Sequence, residues 1–346
     1  MNCILLAQLN IDKSIDSIEF CTLKGFENVI AIGTYKLDDQ PTSINQTRQG
    51  GFHICNYDSD HQKICTLAIY EGSGILDLKW IDCNEGILAC AHSDGIISLN
   101  EVNLDKKVEI ISHNYLINEE CLVLAISLGS KSKKLVASSS NGNIIFCDLH
   151  VNNSTKIKPT DKWQGHDYEA WTVSFDILDS NKVFSGGDDC KLKIWDIRNN
   201  KSKPLFESRY HTMGVCAIQS SSYTPFIYSS GSFDQQFCIW DQRNNKSPIS
   251  SLKLDSGIWR IKWRRIIDSN KNRRDLILLA CTHAGSYILE YSQNSDLKIL
   301  AHYDKHKSLT YGVDWLRWEE SKENDSFIMA TSSFYENDFH LLRVTL

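Results

Sequence analysis

The chain has 346 residues, of which 42% are hydrophobic and 23% charged, with a formal net charge of −6. That balance fits a folded chain and excludes a disordered one. Lys262, Arg264, Arg265 and the Lys271-to-Arg274 cluster are local groups rather than a basic stripe, so direct nucleic-acid binding is not expected. The twelve cysteines are scattered singly with no CxxC pair. They read as reduced thiols in a cytoplasmic protein, with neither structural zinc nor any other cofactor expected. Met1 to Asn10 lacks the basic start and apolar run of a signal peptide, and no apolar stretch approaches the ~20 residues that span a bilayer.

In chain order, Asn2 to Leu9 alternates as a strand but stands alone before the first repeating unit. Unit one uses Ser17 to Phe20, Val29 to Thr34, Gly51 to Tyr57 and Ile64 to Tyr70, with a polar insertion from Lys36 to Gly50 that reads as a surface loop. Unit two runs through Ile75–Trp80, Ile87–Ala91, Ile96–Val102 and Val108–Ser112. Unit three uses Cys121–Ile126, Leu135–Ser139 and Ile144–Asp148, and ends near Trp163.

Units four and five are two copies of one pattern. Trp195-Asp196 and Trp240-Asp241 lie 45 residues apart, and in each copy an Asp (Asp189, Asp234) stands six residues before the Trp. His166 and His211 open the two copies, placed to be tied to those Asp residues. This is the WD-repeat period, which signals a β-propeller. Unit six is Ile258–Trp263, Leu276–Cys281, Tyr287–Tyr291 and Leu297–His302. Unit seven has three strands only, Tyr311–Trp318, Phe327–Ser332 and Phe339–Val344. The orphan strand supplies its fourth and removes the exposed edge. An all-β, seven-bladed propeller spanning residues 1–346 as one domain is therefore expected.

A propeller is a scaffold, so function is sought in residues that the blade pattern does not explain. Aligning the first strand of each unit exposes one position at the mouth of the central channel, occupied around the ring by Asp16, Leu76, Leu122, Trp171, Gly214, Trp259 and Tyr311. Three large aromatics with Gly214 between them form a wall suited to a quaternary ammonium; the bland alternative is that the rings plug the channel. Nearby in sequence are Asp188, which the repeat does not need, Glu169 and Arg260. His283 and His92 sit in equivalent turns, where a His serves as general base or simply bonds backbone. No G-x-S-x-G, H-E-x-x-H, Walker or G-x-G-x-x-G motif occurs, so residues alone point to an interaction platform.

Longer strings narrow this. His166-Asp167-Tyr168-Glu169-Ala170-Trp171, Ser185-Gly186-Gly187-Asp188-Asp189, His211-Thr212-Met213-Gly214-Val215-Cys216 and Gly257-Ile258-Trp259-Arg260-Ile261-Lys262-Trp263 resemble the diphthine methyl ester hydrolase family of WD-repeat proteins. Gly33-Thr34-Tyr35, His283-Ala284-Gly285 and Tyr311-Gly312-Val313-Asp314-Trp315 extend the match, which is dense from 165 to 315 and thin in units two and three. The resemblance implies a carboxyl methylesterase of diphthamide synthesis; a monomer in the cytoplasm is expected. Its substrate would be the methyl ester of methylated diphthine, a modified histidine of elongation factor 2 that carries a trimethylammonium group. His283 is expected as base, oriented by Asp188, with Arg260 or backbone N–H groups at the oxyanion. Trp171, Trp259, Tyr311, Gly214 and Glu169 would hold the ammonium. A Cys or Ser nucleophile (Cys216 or Cys281) competes with water. A scaffold for elongation factor 2 and a methyl-lysine or peptide reader are the non-enzymatic alternatives.

Overall fold

A computed structural model describes residues 2–37, 48–81, 86–104, 108–117, 121–129, 133–150, 155–199, 201–267, 273–292, 296–316 and 326–345. Among these residues all regular structure is strand, arranged as seven antiparallel four-stranded sheets. No helix is long and apolar enough to cross a membrane. The innermost strands are Ser14–Phe20, Ile75–Trp80, Val123–Leu128, Thr172–Phe175, Val215–Ser220, Ile258–Ile267 and Thr310–Trp315. Each packs against the next, and the last packs against the first, so the sheets are the blades of a closed ring.

Each blade is sandwiched between two others, so its middle strands bury both faces and read as continuous apolar runs rather than alternating ones. Leu276 to Cys281 is fully buried throughout, as is Ile30-Ala31-Ile32. The outermost strands face solvent, and in Lys63–Ser73 most side chains are exposed. The ring closes as the orphan strand implied: Asn2–Asn10 pairs antiparallel with Asp338–Thr345, placing Gln8 opposite His340 and Asn10 opposite Asp338. Leu6 and Ala7 thereby join Phe339 and Leu341 in one core cluster.

Blades four and five carry the ties that their spacing suggested. His166 Nδ1 bonds Asp189 Oδ1 at 2.8 Å, and His166 Nε2 lies 2.8 Å from Ser185 Oγ, which accepts the Trp195 indole N–H at 2.8 Å. His211 joins Asp234, Ser230 and Trp240 in the same way, at 3.0, 2.8 and 2.8 Å. His92 is held similarly in blade two, between Ser73 Oγ and Ser98 Oγ at 2.8 and 2.7 Å, and burial lowers its pKa to about 4. It is a structural histidine with no lone pair left for chemistry.

Blade one differs from the sequence reading. The insertion's flanks are strand, not loop: Val29–Leu37 and Arg48–Asp58 pair as far as Leu37 opposite Arg48, and 38–47 lie outside the described residues. Gly51 makes the extension possible. Its φ is +150°, and a Cβ there would sit 1.9 Å from the Tyr70 carbonyl oxygen. The extended strands carry Tyr35 and Arg48 to the channel mouth. Blade seven begins with Thr310–Trp315, so the strand expected to reach Trp318 stops before Leu316, and 317–318 lie outside the described residues.

Candidate functional site

The central channel opens into a cavity of about 390 Å³ whose lining includes Asp16, Leu76, Leu122, Trp171, Trp259 and Tyr311, six of the seven positions aligned at the mouth. Successive innermost strands converge on the ring axis, so residues 100 or more apart in sequence meet there. Trp259 stacks on Tyr311 at 4.7 Å and 23°, and tilts against Trp171 at 5.7 Å and Phe233 at 5.9 Å. Tyr311 is backed by Phe334, which also meets Tyr35, both at 5.0 Å. The wall is therefore continuous across blades four to seven and reaches blade one along the cavity lining.

The seventh position, Gly214, sits behind the wall. A Cβ on Gly214 would come within 2.7 Å of Asp188 Oδ1, the oxygen that accepts the Trp171 indole N–H at 3.0 Å. Glycine here leaves room for the carboxylate that fixes Trp171. Asp188 is therefore a positioning group for the wall. The expectation that it orients His283 is not met, because the two lie in turns of blades four and six and no hydrogen bond joins them among the described residues. His283 is exposed, its backbone N–H donates to Ser256 Oγ at 3.0 Å, and it is not among the cavity-lining residues. Glu169 lines the mouth beside Trp171.

Below the wall the channel holds a buried ionic layer. Asp77 takes Lys79 Nζ at 2.8 Å, Arg260 Nη1 at 2.9 Å and the Ile126 N–H at 3.1 Å. Its pKa is lowered because these cations outweigh the cost of burial. Glu19 bonds Lys262, which also meets Asp314 at 3.4 Å. Arg260 is locked further by donating Nη2 to the Leu76 carbonyl at 2.6 Å.

Asp16 is the carboxylate this layer leaves short. Among the described residues Arg260, already committed to Asp77, is its one ion-pair partner, at 3.9 Å; the Trp259 indole lies near it, but Oδ1 accepts no hydrogen bond of normal geometry. It is 2% exposed, so desolvation raises its pKa to about 7, against the opposing pull of Arg260 and the nearby Trp259 indole. The Trp259 Nε1–H and the Arg260 Nε–H are likewise buried and unbonded. Buried polar groups are rarely left so, and one unpaired donor costs about 1–3 kcal/mol. Here two donors and one acceptor are buried without partners of normal geometry on residues that line the same cavity. That pattern provides a base near neutral pH and donors for a developing negative charge.

Thiol chemistry fits poorly. Cys216 lines the cavity but is buried, which holds its thiol protonated far above neutral pH, and burial raises the Cys281 thiol likewise. The described cysteines are all free. Asp16, Tyr35 and Arg48 were not singled out as site residues from sequence, although Asp16 occupied the mouth position; only its neighbours' commitments reveal its chemistry.

Comparison with known proteins agrees with this architecture. The family model for "WD domain, G-beta repeat" matches residues 157–196 and 202–241, each match joining the outer strand of one blade to the first three of the next. A mitotic checkpoint complex crystal structure contains a chain with the same fold, TM-score 0.71 at 18% identity, covering 100% of this chain and 93% of that one. "Diphthine methyltransferase" of Mus musculus is 31% identical over 340 residues, 90% of this chain and 69% of the relative. The Dictyostelium discoideum "Diphthine methyltransferase homolog" is 31% identical over 362 residues, 94% of this chain and 95% of the relative. "Diphthine methyltransferase" of Schizosaccharomyces pombe is 29% identical over 314 residues, 90% of this chain and 89% of the relative. Similarity at this level over 90% or more of the chain shows that it belongs to the diphthine methyltransferase family of WD-repeat proteins.

Proposed function

We propose that the protein is a carboxyl methylesterase of diphthamide biosynthesis, acting in the cytoplasm as a monomer on elongation factor 2 that carries methylated diphthine. The observation that carries this reading is the convergence, around one cavity, of an aromatic wall and of Asp16, Trp259 and Arg260, lining residues that each keep a buried polar atom without a hydrogen bond of normal geometry. The substrate side chain pairs a trimethylammonium group with a methyl ester, and the cavity offers a partner for each. The ammonium rests on the faces of Trp259, Tyr311 and Trp171, with Glu169 at the rim balancing its charge.

The ester then reaches the ionic layer. Asp16, as carboxylate, takes a proton from water as the water oxygen attacks the carbonyl carbon. The C=O electron pair moves onto oxygen, and Arg260 Nε–H with Trp259 Nε1–H stabilises the oxyanion. On collapse the C=O re-forms, the C–O bond to methoxide breaks, and Asp16 returns its proton to the leaving oxygen. Methanol departs, and the new carboxylic acid ionises. Here Asp16 replaces His283 as base, and His283→Ala is the comparator, with turnover near that of the wild type.

The test is methanol release from elongation factor 2 bearing methylated diphthine, with purified protein, a chelator and no methyl donor. Methanol in step with loss of the ester supports the reading. Binding of the factor without methanol moves the assignment to a scaffold or an ammonium reader. Methylation of the factor from an added donor would take the relatives' name literally and overturn the esterase.

Gly214→Ala probes the wall. The new methyl displaces Asp188 from the Trp171 indole, and losing that hydrogen bond, partly exposed, costs about 1 kcal/mol of binding. KM is expected to rise about fivefold with kcat nearly unchanged, measured by steady-state kinetics. A fall in kcat alone would show that Asp188 serves the chemical step instead.

A further inference from the structure

His306 stands where the blade architecture places a tying histidine, but its partners have been replaced. In blades four and five the residue after the histidine donates its backbone N–H to the tying Asp: Asp167 to Asp189 at 3.2 Å and Thr212 to Asp234 at 2.9 Å. In blade seven Lys307 N–H donates to Glu336 Oε2 at 2.8 Å, which puts His306 in register with His166 and His211. Glu336 spends the same oxygen on Ser333 Oγ at 2.9 Å, not on His306.

The strand pairing locates the other losses. Ser185 faces Lys193, and Ser230 faces Cys238, with the tying Trp two residues further on. In blade seven Thr331 faces His340, and Leu342 holds the Trp position. Thr331 Oγ1 bonds Ser286 Oγ at 2.7 Å instead of the histidine. Both nitrogens of His306 are thus buried without a hydrogen bond of normal geometry, although the Thr331 carbonyl lies beside the ring. Leaving such a group unsatisfied is costly, and ordered water or an ion is the usual resolution.

What faces His306 is ligand chemistry. Its ring stacks on His340 at 4.4 Å and 18°. His340 Nε2 lies 2.8 Å from Asp338 Oδ2, and one donor atom from each of the three residues falls within a 4.8 Å set. Outer contacts of the kind that orient metal ligands are present: Tyr303 Oη meets His340 Nδ1 at 2.9 Å, and Gln8 Nε2 donates to both Asp338 oxygens at 3.0 and 2.8 Å. Two imidazoles and one carboxylate, with a position left for water, suit a divalent ion of the zinc type. Cysteine spacing gives no hint of it, because no thiol takes part.

We propose that His306, Asp338 and His340 bind a divalent transition-metal ion of the zinc type that fastens the blade six-to-seven connection to the seam closing the ring. His306 lies in that connection, and Asp338 and His340 lie on the strand that pairs with Asn2–Asn10. None of the three lines the channel cavity, so the ion's role is separate from the ester chemistry.

The test uses the full chain, stripped with a chelator, desalted and titrated with Co²⁺ as the optical probe and with Zn²⁺. One equivalent of Co²⁺ with visible d–d absorption, displaced by Zn²⁺, is expected, together with a higher Tm when Zn²⁺ is bound. His306→Ala and His306→Gln lose both responses while keeping the metal-free Tm of the wild type or exceeding it, because each removes a buried unsatisfied ring. Tyr303→Phe weakens binding about tenfold. No saturable absorption in the wild type would mean that water satisfies His306 and would overturn the site. A thiolate-to-cobalt charge-transfer band, or binding that survives His306→Ala, would place the ion elsewhere and overturn it equally.

Discussion

Asp16→Asn is expected to lower kcat by about 100- to 10,000-fold and, at the same time, to make the protein more stable above neutral pH. Both effects come from one cause. Three of the four channel carboxylates, Asp77, Glu19 and Asp314, sit against Lys or Arg, whereas Asp16 shares an arginine already bound to Asp77. Burial therefore raises its pKa from the ordinary 3.8 to about 7. Between those values the folded protein holds a proton that the unfolded chain has released. Stability is thus full below 3.8, falls as pH rises across the window and stays reduced above about 7, by on the order of 4 kcal/mol. Asparagine matches the neutral acid in shape and carries no titrating proton, so the variant lacks that decline. Denaturant titrations of both proteins at pH 5 and pH 8 check it: the gap in favour of Asp16→Asn should widen at pH 8. In the wild type kcat/KM should climb through about pH 7 and then level, because the base works as the carboxylate. A flat rate profile across that range, or a stability gap independent of pH, would remove Asp16 from the role of base.

The ring itself was legible because a propeller repeats one local pattern. The 45-residue spacing of Trp195 and Trp240, with Asp189 and Asp234 six residues earlier, reports a tie that the chain must rebuild in each blade, and the orphan Asn2–Leu9 strand had only one edge to fill. The wall was legible for the same reason: equal positions on the innermost strands face one axis, so Trp171, Trp259 and Tyr311 had to approach one another. Direction was harder to read. Asp188 and His283 look close to the site in sequence, but Asp188 accepts from the Trp171 indole, and His283 is exposed and off the cavity lining. The charge state of Asp16 was not legible at all, since it depends on how residues from blades one, two, six and seven divide three cations among four acids. Tyr35 and Arg48 were hidden because a polar, gapped stretch reads as loop until Gly51 shows that the strands continue.

Trp259→Leu should raise KM about 30-fold, the equivalent of about 2 kcal/mol for a desolvated cation–π contact. Trp259 is the centre of the wall, in ring contact with Trp171, Tyr311 and Phe233, so no neighbour can replace its face. Leucine keeps much of the apolar volume and removes the quadrupole, which makes the loss specific for charge. It also removes the indole N–H that lies unbonded near Asp16, so kcat should fall as well. Trp259→Phe separates the two contributions: the ring face remains, KM stays within a few-fold of the wild type, and only kcat drops. A substrate analogue with a neutral tert-butyl group in place of trimethylammonium completes the cycle. For the wild type the analogue should bind about 30-fold more weakly than the cation, and for Trp259→Leu the two should bind alike. An undiminished preference for the cation in Trp259→Leu would mean that Glu169 or ionised Asp16 recognises the charge, leaving the aromatic wall as packing that closes the channel.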